Sequence, residues 1–199
     1  MSETAIACVV PRGQSVERLL KAVSSPTATM KYPAVKALRL LSERNSQTVY
    51  PHFDLFAGWL TNSNSILRWN GRLILGNVAG ADSEGRLDAM IDAYLAPISG
   101  SHLIDAATTI RGATSIALAK PHLAQKIANR ILKVERAVYA TPECRNVAIG
   151  HAIKALDLLF PTLTEKRRIQ LFVTHQLENS RPATRKKAEA FLKRWPALQ

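Results

Sequence analysis

Apolar residues recur at three- and four-residue intervals through almost the whole chain, and long alternating stretches are absent. That spacing is helical, because residues three and four apart share one helix face, whereas a strand turns alternate residues inward. Short breaks divide the pattern into ten predicted helices, near 15–24, 30–44, 48–61, 64–79, 84–96, 101–119, 122–139, 142–160, 164–179 and 182–195. The punctuation agrees. Ser15 and Thr141 are placed to cap the helices that follow them, Pro142 suits a first helical turn, and Ser180–Arg181–Pro182 offers similar chemistry. Pro121 and Pro161 stop the helices before them.

The helices fall into pairs, and the second members overlay. With Lys31, Arg68, Asp105, Arg145 and Arg185 as reference, the spacings are 37, 37, 40 and 40. Three residues on stand Ala34, Gly71, Thr108, Ala148 and Ala188, all small; seven on stand Leu38, Leu75, Gly112, Ala152 and Leu192. Met30, Leu67, Ile104, Cys144 and Thr184 precede the reference. These offsets share one face, so each second helix presents an apolar or small stripe that admits a close neighbour. The first helices carry one-sided apolar stripes too: Leu19, Leu20 and Val23; Phe53, Phe56 and Leu60; Leu87, Ile91 and Leu95; Ile127, Ile131 and Val134; Ile169, Val173 and Leu177.

A two-helix unit repeated every 37–40 residues is the signature of a helical solenoid. The order basic, small, leucine resembles the HEAT-repeat pattern, most clearly in Arg68–Gly71–Leu75, Arg145–Ala148 and Arg185–Ala188–Leu192. The resemblance covers roughly residues 15–195 and implies an all-α fold, a right-handed α–α superhelix of about five HEAT-like helix pairs. Residues 1–14 read as an N-terminal tail and 15–199 as a single repeat domain. The third unit departs from the pattern, with Asp105 at the basic position and Gly112 at the leucine position. Three-helix armadillo-type units fit less well, because no short third helix recurs.

Composition agrees with helix and adds charge. Of 199 residues, 47% are hydrophobic and 21% charged, which is globular, while nine glycines and 6% aromatics argue against a many-stranded β protein. The apolar stretch Ala5–Val10 is too short for a signal or a membrane span, so a cytoplasmic protein is expected. Cys8 and Cys144 lack CxxC spacing, and Cys144 reads as a buried reduced thiol. The formal charge of +12 is uneven: residues 1–100 hold 10 basic and 8 acidic side chains, residues 101–199 hold 17 and 7. A basic half points to an anionic partner or to a merely solvated surface.

No catalytic constellation emerges, so no enzyme, cofactor or metal is expected. His52, His102, His122, His151 and His175 include no pair three or four apart that would bind metal from one helix face. Gly76–Asn77–Val78–Ala79–Gly80 lacks a phosphate-loop order, and Asp88 and Asp92 read as solvated neighbours. Trp59 and Trp195 read as packing residues, while Trp69, directly after Arg68, could stack on a ligand. One HEAT-like family, the alkylpurine DNA glycosylases, clasps DNA in a basic groove; no acid stands four residues beyond any tryptophan here, so none of its catalytic residues carries over. Lys31, Arg68, Trp69, Arg145, Arg181, Arg185 and Lys186 remain as candidate binding residues, with Arg72, Arg111 and Lys154 as further contacts to phosphates or an acidic peptide. The basic ladder reads first as a structural ion-pair ladder involving Asp105, with ligand binding as the competing reading. The expected function is a non-catalytic scaffold that presents a concave surface to a protein or peptide, with nucleic acid as the alternative and neither membrane nor small molecule as partner.

Overall fold

The structure, a computed structural model, describes residues 15–196; the expected tail over 1–14 lies outside them. The described residues contain helices and turns and no strand. In order the helices are Val16–Val23 (α1), Ala28–Arg44 (α2), Ser46–Val49 (α3), Phe53–Trp59 (α4), Ser65–Asn77 (α5), Arg86–Leu95 (α6), Leu103–Ala119 (α7), Ala124–Ile131 (α8), Pro142–Leu159 (α9), Lys166–His175 (α10) and Pro182–Arg194 (α11). A 3-10 turn, Tyr50–His52, joins α3 to α4, so together they form the third of the ten predicted segments. None of the helices is long and apolar enough to cross a membrane.

The ends follow the predicted chemistry with two exceptions. Ser15 accepts from the Arg18 amide and Thr141 from the Cys144 amide, satisfying first-turn donors that would otherwise lack partners. At α11 the predicted cap shifts: Asn179 Oδ1 accepts from the Arg181 amide, and Pro182 opens the helix. The predicted helix 122–139 is shorter, since α8 gives way to the 3-10 turn Leu132–Arg136 and then to extended chain. Apolar spacing alone could not see that ending, because Val134, Ala137 and Tyr139 remain buried after the helix stops. Tyr139 reaches back to donate its hydroxyl to the Ile98 carbonyl at 2.6 Å, and burial pushes its pKa up to about 12.

The chain divides between Leu87 and Asp88 into two compact units. In the first, α2 packs on both α1 and α5, and α4 packs on α5. Its closest approach is at Gly71: a Cβ there would lie 2.9 Å from Trp59 Cβ and 3.1 Å from the Phe56 carbonyl oxygen, so only hydrogen fits. Near the unit's end the buried Asp82 carboxylate accepts from the Arg86 and Leu87 amides and from the Tyr50 hydroxyl. Gly85, at φ 70°, supplies the left-handed residue that turns the chain back over Asp82.

In the second unit α9 lies between α7 and α11. Ala148 and Ala152, one helical turn apart, are fully buried, and so are Ile127, Ile131, Ile169 and Val173 from the first helices of their pairs. Each such side chain contributes about 1.5–3 kcal/mol by leaving water when it is as large as Ile or Leu. The repeat register holds at the small positions, where Ala34, Gly71, Ala148 and Ala188 are all buried. It loosens at the preceding position: Leu67 and Thr184 are buried, but Met30 and Ile104 are exposed and Cys144 is only half-buried.

Candidate binding groove

Arg68 and Arg185 hold the same register in their repeats and make the same bonds. Arg68 Nη1 donates to the carbonyls of Asn62 (2.8 Å) and Ser63 (2.9 Å). Arg185 Nη1 donates to those of Asn179 (2.7 Å) and Ser180 (3.2 Å). In both cases the acceptors lie six and five residues upstream, in the turn that enters the helix. Each guanidinium therefore ties its own inter-helix turn shut, a use that its planar fork of donors suits better than an ammonium. At the same register Arg145 is exposed and Lys31 half-buried.

The other predicted residues are scattered. Arg181 precedes α11 and donates from Nε to Glu143 at 2.8 Å, while Lys186 is exposed on α11. Trp69 is half-buried, and its indole N–H is buried without an acceptor among the described residues. Arg72, expected to reach phosphates or an acidic peptide, is buried instead. Trp59 is in the core. Trp195 packs its ring on Phe160, centroids 5.1 Å apart, and donates to Asp157 at 2.7 Å.

A groove of about 580 Å³ runs along α7, α9 and α11. Its walls come from equivalent repeat positions. Counted from Asp105 and Arg145, Arg111 and His151 stand six residues on, Thr114 and Lys154 nine on, and Leu118 and Leu158 thirteen on. From α11 comes Lys187, whose Nζ donates to the Gly150 carbonyl at 3.0 Å. Gly150 makes room for it: a Cβ there would lie 3.0 Å from Thr184 Oγ1 and 3.1 Å from Lys187 Nζ. Arg111 and Lys154 were legible as basic groove residues, but His151, Lys187 and the two leucines were not singled out. The overlay itself contained them, since residues on one helix face recur at the repeat distance.

The ionisable side chains that line the groove, Arg111, His151, Lys154 and Lys187, are all basic. Partial burial, then repulsion from Lys187, Lys154 and Arg181, lowers the His151 pKa. Burial, then Arg181 and Lys154, lowers that of Lys187. Two aspartates of α6 pair with cations of this unit. Asp88 receives Lys120 Nζ at 2.7 Å and a close contact from His122 Nε2, and these hydrogen bonds, His122 first, lower its pKa to about 2. Asp92 pairs with Lys126 at 2.9 Å. Asp88 thus faces cations from the turn that enters α8, whereas Asp92 stays largely in solvent, its side chain 83% exposed beside Lys126 of α8. Among the described residues no three His, Cys, Asp or Glu side chains are placed to hold a metal ion.

The sequence matches no family model and no curated protein. Solved structures do resemble it. An engineered protein superposes with a TM-score of 0.54 at 14% identity, covering 89% of this chain and 78% of that one. A designed armadillo repeat protein in complex with the peptide (KR)4 superposes with a TM-score of 0.58 at 13% identity, covering 89% and 80%. A second engineered protein, of which the match spans 47%, gives 0.53 at 15% identity over 89% of this chain. At such identities the likeness is one of fold, and it extends over nearly all of the repeats read from the sequence. In fold, the chain is an all-α, armadillo-like helical repeat protein.

Proposed function

We propose that the chain is a non-catalytic helical-repeat binding module that holds a peptide segment of a protein partner in the groove along α7, α9 and α11. The carrying observation is that this groove is lined by repeat-equivalent residues, Arg111 with His151, Thr114 with Lys154 and Leu118 with Leu158. An extended polypeptide is itself periodic, so a surface with a period can meet it at several points, and Leu118 and Leu158 do so with the same chemistry. The designed armadillo protein of similar fold is in complex with a peptide, which supports the same use of the fold. Selection from a random-peptide display library tests the reading. The wild-type chain should enrich peptides, and the double substitution Leu118→Asp, Leu158→Asp should abolish that enrichment while preserving helical content. Failure to enrich any peptide, or enrichment indifferent to both substitutions, rejects the groove as a peptide site.

A second reading, a basic nucleic-acid-binding module, is favoured by one observation: residues 101–199 carry 17 basic against 7 acidic side chains. Nucleic-acid affinity would then fall steeply with salt, as released counterions require.

A further inference from the structure

The groove combines two chemistries in fixed places. Leu118 and Leu158 are 56% and 51% exposed, and a pair of open aliphatic side chains at one register is a surface that gains from being covered. Arg111, His151, Lys154 and Lys187 line the same groove, and no aspartate or glutamate does. The groove therefore attracts negative charge and repels positive charge, so a Lys/Arg peptide such as (KR)4, bound by the designed armadillo protein, would meet like charge here.

We propose that the groove takes an extended acidic segment of a partner protein, with carboxylates directed at Arg111, Lys154 and Lys187 and intervening aliphatic side chains seated on Leu118 and Leu158. The inference rests on the peptide-binding reading above and adds the ligand's charge and pattern. Helix axes about 8–10 Å apart place the groove's three helices across about 16–20 Å, which about six extended residues span. The lining also separates this ligand from a nucleic acid. It contains no Phe, Tyr or Trp on which a base could stack, and its leucines offer nothing to phosphates.

Fluorescence anisotropy on the full chain tests the inference with three labelled probes: a peptide of about seven residues alternating Glu and Leu, its Lys–Leu counterpart, and a short oligothymidylate. The Glu–Leu peptide should bind, and the Lys–Leu peptide should not. Lys154→Glu should weaken the Glu–Leu complex about tenfold, through lost attraction and new repulsion. Leu158→Ser should weaken it at both low and high salt, with circular dichroism verifying that each variant folds. Binding of the Lys–Leu peptide instead, lost on Leu158→Ser, overturns the acidic ligand but leaves the peptide site standing. Tighter binding of the oligothymidylate, lost on Lys154→Glu, replaces the peptide by nucleic acid. Binding of neither peptide overturns the inference, and with an empty peptide selection it removes the peptide site as well.

Discussion

Gly71 and Asp88 are the single residues whose chemistry is most sharply constrained. At Gly71 two effects oppose. Alanine favours helix over glycine by about 1 kcal/mol, but its Cβ would fall 2.9 Å from Trp59 Cβ and 3.1 Å from a backbone oxygen, and neither atom can swing aside. Overpacking of this kind costs about 1–3 kcal/mol, so Gly71→Ala should lower the denaturation midpoint. A gain in stability would mean that α4 and α5 can separate at no cost. Ala148, fully buried at the same register, should respond to Ala148→Leu with a loss of similar size, about 1–3 kcal/mol. Asp88 bears on acid stability. Its pKa is depressed from 3.8 to about 2, so its contribution is present above 3.8 and is lost as pH falls through about 2. Asp88→Asn should therefore lower the melting temperature near neutrality and narrow the gap between neutral and acid melting temperatures. An unchanged gap would mean that Lys120 and His122 add nothing to folding.

Among the elements, turns carry the second set of consequences. Arg68 and Arg185 close the turns before α5 and α11, whereas Arg145 at the same register is exposed. Arg185→Glu should then destabilise by about 1–3 kcal/mol by leaving carbonyls without their charged donor, while Arg145→Glu should melt close to wild type. Equal melting of the two would deny the turn its role. The repeat was legible because small and apolar positions recur every 37–40 residues, as Ala34, Gly71, Ala148 and Ala188 illustrate. The purpose of its basic position was not, because a sequence gives the side chain at Arg185 but not the carbonyls of Asn179 and Ser180 that lie within its reach. The groove was half legible for the same reason. Arg111 and Lys154 stood out by charge, but Leu118 and Leu158 look like core residues until the packed helices leave them open. The shortened α8 was hidden too, since the buried Tyr139 prolongs an apolar pattern beyond the helix end.

The whole molecule carries a formal charge of +12, which alone attracts any polyanion at low ionic strength. Such attraction and groove binding differ in their response to salt. Duplex DNA should associate weakly, without sequence preference, and dissociate as salt rises toward physiological strength, because counterion release is its only drive. An acidic peptide seated on Leu118 and Leu158 should lose affinity less steeply, since burial of apolar surface is not screened. Parallel titrations of both ligands at several salt concentrations check this. A steeper slope for the peptide than for DNA would place its binding outside the leucine-lined groove.

Leu118 and Leu158 are separated by 40 residues, the same distance that separates Arg145 from Arg185. The spatial period of the groove is thus written as a length of chain. A tandem duplication of one 40-residue unit by recombination would preserve every packed register and lengthen the groove by one rung, about one helix spacing of 8–10 Å. A deletion or insertion of any other length would break the packing before it altered recognition. Such a surface changes in whole steps: the length of ligand it reads is counted in copies, while the identity of each rung can drift one residue at a time.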